Sequence, residues 1–157
     1  MKVVVIYYSR GGTTKAMAQT ISDTISAEGI ETKMTSVGEI ASKELLEYDG
    51  IIIGSPTYYG TLAYEVKKLL DESVSFHGKL DGKVGGAFSS SANVAGGNET
   101  TVLSIQEAML IHGMIIQGDW QGDHYGPVSV GPVDKRAKDN CVRFAQRFVE
   151  LIRKVSS

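Results

Sequence analysis

Short β-branched runs alternate with stretches of helical spacing from one end of this chain to the other. Lys2–Tyr8, Glu31–Val37, Gly50–Gly54 (GIIIG), Lys83–Ser89 and Met114–Gln117 read as strands. Thr13–Glu28, Leu62–Glu72, Asn98–His112 and Asp134–Val155 read as helices, with a short helix or turn at Ala41–Glu47. In the first helix Met17, Ile21 and Ile25 recur every fourth residue; in the last, Ala137, Cys141, Phe144, Phe148 and Ile152 step by three and four. Strands joined by helices cannot pair as hairpins. They need crossover connections, which make a parallel sheet with helices on both faces. Right-handed crossovers and the length of 157 residues favour one α/β domain, 1–157, doubly wound about a five-stranded parallel sheet of order 2-1-3-4-5. Gly118–Pro132 reads as a long glycine-rich loop before the last helix.

Composition narrows the function classes. A net charge of −2 gives no basic excess for a general nucleic-acid surface. No apolar run reaches membrane-spanning length, and Met1-Lys2 leads straight into a strand, so no signal peptide is expected. The single cysteine, Cys141, excludes an internal disulfide and a cysteine-based zinc site; its place on an apolar helix face reads as a buried, inert thiol. The expected compartment is the cytoplasm.

In sheets of this class ligands bind beyond the carboxyl ends of the strands, where strand order reverses. Three loops fall there. Ser9-Arg10-Gly11-Gly12-Thr13-Thr14 passes from a strand directly into a helix. Its glycines permit tight backbone, its hydroxyls donate, and the helix dipole adds roughly half a positive charge. Such a nest holds a phosphate without a basic side chain. It is neither a P-loop nor the dinucleotide GxGxxG, and it reads equally as a plain turn capped by Thr13. Ser55-Pro56-Thr57-Tyr58-Tyr59-Gly60-Thr61 carries two tyrosines at a tip, which a flat aromatic ligand would cover; Tyr59 is the expected contact, and a tyrosine covering the neighbouring helix is the bland reading. Ser90-Ser91-Ala92-Asn93-Val94-Ala95-Gly96-Gly97 has small side chains and many backbone donors for a polar ring edge, but no aromatic residue. It reads also as a turn capped by Asn98.

Taken together the loops resemble those of the flavodoxin-like FMN proteins, over essentially the whole chain. Ser9, Gly12 and Thr14 match that family's phosphate loop, with Gly11 in place of its middle hydroxyl residue. Tyr7-Tyr8-Ser9, Gly54–Gly60, Phe88-Ser89-Ser90 running to Gly96–Thr100, and His112-Gly113-Met114 are similar to the WrbA-type NAD(P)H:quinone oxidoreductases. The resemblance implies FMN, its phosphate on Ser9–Thr14, its ring bordered by Thr57, Tyr58 and Tyr59, and its polar edge and ribityl chain on Ser90–Gly97. It implies two-electron transfer from NAD(P)H to a quinone or similar flat acceptor in a homo-oligomer, a dimer or tetramer. It also implies His112 at the flavin, from the same or a neighbouring subunit, as proton donor or acceptor anchor; a helix-terminal residue favoured by the dipole is the alternative. This chain is shorter than typical members of that quinone reductase family, which bears on oligomer and substrate. His124 and Tyr125 are candidate pocket walls, Trp120 a candidate subunit contact, and His77 an exposed turn residue.

The competing function is a flavodoxin-type electron carrier between protein partners. Strong net charge and aromatic cover on both ring faces would suit it better than −2 and an aliphatic third loop.

Overall fold

A computed structural model describes residues 1–156. The elements run β1 (Lys2–Tyr7), α1 (Thr13–Ala27), β2 (Glu31–Ser36), β3 (Gly50–Tyr58), β4 (Thr61–Leu62), α2 (Tyr64–Glu72), β5 (Val84–Ser91), α3 (Asn98–Ile111), β6 (Ile115–Ile116), β7 (Val128–Val130) and α4 (Lys135–Val155), with 3₁₀ turns at Val37–Glu39, Ser42–Glu47 and Ser73–Phe76. The sheet order is β2-β1-β3-β5-β6, all parallel, with β4 antiparallel to β3 and β7 parallel to β5.

The expected five sheet positions are present in the expected order, with two short additions. β4 folds back on the end of β3. The fifth position is split: β6 pairs with Val84 and Gly85 at the start of β5, and β7 pairs with Ser89–Ser91 at its end. β7 lies inside the segment expected to be loop. Three residues carry little periodicity of their own, so only pairing with β5 makes them a strand.

The sheet is a two-sided wall. Val3 and Val5 face α1 and α4 in one core, with Met17, Ile21, Phe88, Cys141 and Phe148. Val4 and Ile6 face the other way, toward Val66, Leu69, Val102, Ile105 and Met109 of α2 and α3. Each such aliphatic side chain, fully buried, contributes about 1.5–3 kcal/mol. Cys141 is fully buried, and loss of solvation pushes its thiol up to about 12, so it stays protonated.

β3 also outlasts its expected end at Gly54. Ser55 and Pro56 pair with Ser89 and Ser90, and Thr57 and Tyr58 with Leu62 and Thr61. A proline is tolerated here for a geometric reason. Gly54 turns its carbonyl to the Tyr8 amide on the β1 side; Pro56, two residues on, faces that same side beyond the end of β1, where no ladder bond is lost.

Candidate functional site

β1, β3 and β5 end side by side, and their carboxyl ends carry the three loops singled out in the sequence. Gly12 is the N-cap of α1 at φ 93°, a left-handed conformation that favours glycine. Its amide donates to Ser9 Oγ at 3.1 Å, which closes the turn. Thr13 is therefore not the cap; it is the first helical residue. Within the described residues the amides of Gly11, Thr13 and Thr14 find no acceptor. These are the unpaired donors of a helix start, aimed outward with the dipole behind them. Ser9 and Thr13 are half-buried, while Arg10, Gly11 and Gly12 are exposed. Thr14 differs from its neighbours. Its side chain is buried and its hydroxyl meets Ser90 Oγ at 2.9 Å, so it fixes the first loop to β5.

The second loop is a two-residue hairpin between β3 and β4. Tyr59 (φ 49°) and Gly60 (φ 82°) both take left-handed backbone, the requirement of a tight hairpin turn. For a tyrosine that conformation costs about 1–2 kcal/mol, and the whole side chain of Tyr59 stands in solvent. Ser55, fully buried, accepts the Ala63 amide at 2.8 Å and so ties β3 to the start of α2. Thr57 is not free to border a ligand with its hydroxyl alone: it contacts Ser89 Oγ at 3.3 Å and accepts from Thr101 Oγ1 at 3.0 Å.

Ser90 and Ser91 belong to β5 rather than to a loop, because β7 pairs with them. The turn proper is Ala92–Gly97. Ser91 Oγ donates to Asn93 O at 2.9 Å and accepts from Asn98 Nδ2 at 3.0 Å. Asn98 therefore braces the turn while Gly97 is the N-cap of α3. Gly96 N bonds Asn93 O, whereas the amides of Asn93, Val94 and Ala95 take no acceptor in the described residues. Ala95 is left-handed at φ 56°, and Val94 is 84% exposed. Thr100 Oγ1 donates to Gly60 O at 2.6 Å, joining the second and third loops across the site.

Tyr8, which the sequence offers only as part of Tyr7-Tyr8-Ser9, stands beside the second loop. Its ring meets Tyr58 edge-on at 6.3 Å between centroids. The neighbouring Glu65 carboxylate, chiefly as an acceptor for the phenol, raises the Tyr8 pKa above the ordinary 10.0. The partnership links residues 57 positions apart, which no local pattern signals.

His112 is not at these loops within the chain. It follows α3, and Met114 and Ile115 after it bond Met109 O and Lys83 O at the start of β5. That is the amino end of the strands, the opposite pole from Ser9–Thr14 and Ala92–Gly97. A helix running back from the carboxyl end of one parallel strand must finish there. His124, whose Nδ1 contacts Asp119 O at 2.7 Å, and the half-exposed Tyr125 lie in the segment that splits the fifth strand position, as does Trp120, 75% exposed. His77 is exposed, as expected, and its ring lies 5.8 Å from that of His112.

Unpaired helix amides at the β1 end, flanked by two turns at the point where strand order reverses, are the arrangement with which doubly wound α/β proteins meet phosphate-bearing ligands. A family model described as "Flavodoxin domain" matches residues 4–114. A flavodoxin of Clostridium saccharobutylicum is 31% identical over 99% of this chain and 99% of its own. An NAD(P)H dehydrogenase (quinone) of Sinorhizobium fredii (strain NBRC 101917 / NGR234) is 36% identical over 74% of this chain and 70% of its own. Among solved structures, a flavodoxin from the domain Archaea superposes with a TM-score of 0.81 at 27% identity, covering 98% of this chain and 99% of that one. The chain belongs to the flavodoxin family.

That family implies FMN, and the residues present fit it. The donors at Gly11, Thr13 and Thr14 suit a phosphate, and the open amides of Asn93, Val94 and Ala95 suit the acceptor edge of a ring. Among the described residues no group of three or more His, Cys, Asp or Glu side chains is placed to hold a metal ion. Among the same residues no helix is long and apolar enough to cross a membrane.

Proposed function

We propose that the protein is an FMN electron carrier that exchanges electrons with protein partners at the hairpin tip. The observation that carries this reading is Tyr59, strained into left-handed backbone and fully exposed beside the ring-binding turns. A solvent-facing aromatic at such a tip is costly unless it covers a ligand and meets a partner. Bound there, FMN would supply one- and two-electron redox chemistry. The chain's own groups bind and orient it: helix amides and the Ser9 and Thr13 hydroxyls at the phosphate, Tyr58 and Tyr59 along the ring, and third-loop amides at its polar edge. Those amides would stabilise negative charge on the ring, which tunes its potential.

A second reading, two-electron transfer from NAD(P)H to a quinone, is favoured by one feature. The exposed apolar side chains of the third loop are Ala92, Val94 and Ala95, none of them aromatic, so one ring face stays open for a flat molecule to stack. The Sinorhizobium fredii relative carries that activity in its name. His112 enters this reading only if supplied by another subunit.

Anaerobic stopped-flow of FMN-loaded protein with NADH and with NADPH, then a quinone, separates the two. Slow reduction by both nucleotides, with two well-separated one-electron waves in a potentiometric titration, supports the carrier. Rapid full reduction by either nucleotide and rapid reoxidation by the quinone overturns it in favour of the reductase.

A further inference from the structure

A groove of about 480 Å³ runs between α2 and α3 on the pole away from the flavin loops. That volume is in the range of small-molecule sites. Leu70, Val74, Ala108 and Ile111 give it apolar walls, and Val74 and Ile111 stand 72% and 73% exposed. His112, only 7% exposed, lines it.

The hydrogen bonds around His112 fix its tautomer. Ser73 Oγ donates to Leu70 O at 2.6 Å, which uses the one proton of that hydroxyl. The 2.7 Å contact between Ser73 Oγ and His112 Nε2 must then run from the imidazole to the serine. So Nε2 carries the proton and Nδ1 keeps a bare lone pair. Nδ1 is buried and has no hydrogen-bond partner among the described residues. Phe76 stacks on the ring at 6.3 Å and the exposed His77 tilts over it at 5.8 Å. A buried acceptor left unpaired costs about as much as a lost hydrogen bond. The ring that carries it lines an apolar groove of ligand size.

We propose that the α2–α3 groove is a second ligand site, for a flat apolar molecule bearing a hydroxyl that donates to His112 Nδ1 while its ring lies against Val74, Ala108 and Ile111. The hydroxyl gives the unpaired acceptor its partner, and the ring removes the exposed aliphatic surface from water. His77, on a surface turn, swings aside to admit the hydroxyl. The matched ether of the same molecule cannot donate and leaves Nδ1 unpaired, so the site discriminates by hydrogen bonding. The site is independent of the electron-transfer reading.

The test uses FMN-loaded protein with 2-naphthol and 2-methoxynaphthalene as probes, followed by two-dimensional NMR with long-range ¹H–¹⁵N detection of the histidine rings. Expected are saturable binding of 2-naphthol, a shift of the His112 Nδ1 resonance, and perturbed signals from Ala108 and Ile111. 2-Methoxynaphthalene binds about tenfold or more weakly. Ile111→Glu, which spoils the exposed wall without touching the core, abolishes 2-naphthol binding and leaves FMN affinity unchanged. Equal binding of the two probes overturns the proposal, as does mapping of the shifts to Tyr59 and Val94. Absence of binding up to the solubility limit also overturns it, and in that case a doubled hydrodynamic mass identifies a second copy as the occupant.

Discussion

Gly54→Ala tests whether the meeting of β3 and β5 is packed as tightly as it looks. Gly54 is buried, and a Cβ built on it would lie 2.6 Å from Phe88 Cε1 and closer still to Cζ and Cε2. Carbon atoms pack at about 3.5–4.0 Å, so the ring must retreat by about 1 Å or more. Phe88 is fully buried in the core beneath α1 and α4, which leaves it nowhere to go without moving neighbours. Overpacking of this kind costs about 1–3 kcal/mol. The lost flexibility of the unfolded chain returns about 0.4–1 kcal/mol. The net expectation is a loss of about 1.3 kcal/mol, or about 3–5 °C in Tm for a chain of this size. Urea unfolding should be done on FMN-free protein, because bound cofactor adds stability by mass action. Phe88→Leu alone, a large-to-small change, costs about 1–2 kcal/mol. In the double variant the smaller leucine makes room for the alanine, so the loss falls below the sum of the two single losses by about 1 kcal/mol or more. Additivity within about 0.5 kcal/mol would mean the two residues do not contend for space, and the packing argument would be refuted.

Other consequences can be measured as directly. Gly12→Ala forces a side chain into φ 93° at the head of α1; at about 1–2 kcal/mol of strain, FMN fluorescence quenching should report a Kd raised about tenfold, and an unchanged Kd refutes the phosphate cradle. His112 has its pKa lowered from 6.5, first by burial and then by His77. The unfolded chain therefore takes up the proton first, and stability is full above about 6.5 and falls as the pH drops from there toward the folded-state value. Urea midpoints at a series of pH values should show this decline, and His112→Phe should flatten it. Asp119 is held far below the usual carboxylate range, chiefly by Arg143, whose Nη2 lies 2.8 Å from its Oδ1. Asp119→Asn should cost about 1–2 kcal/mol and speed proteolysis within residues 117–127; equal cleavage rates would show the clamp to be idle.

Much of the site was readable because its signals are local. The glycine pair before α1 and the tyrosine pair at the β3–β4 tip lie within single loops, and the structure brings both to the carboxyl ends of neighbouring strands. The residues whose surroundings no local pattern gives all answer to distant partners. Thr14 turns inward to Ser90, Pro56 stays in a strand because Ser90 pairs with it, and Tyr8 finds Glu65 on α2. His112 was placed by motif resemblance, and the crossover carried it to the other pole.

The chain's pattern of short β-branched runs and amphipathic stretches settled by itself that a parallel sheet would form between two helical layers, since hydrophobic period reports which faces must be buried. It settled too that a glycine-rich turn would open the first helix. Only the folded molecule decided where strands end, that the fifth sheet position is filled by two separate pieces, and which hydroxyls serve the scaffold and which the ligand. Those depend on hydrogen-bond partners far apart in sequence, and a partner's identity is written in neither residue alone.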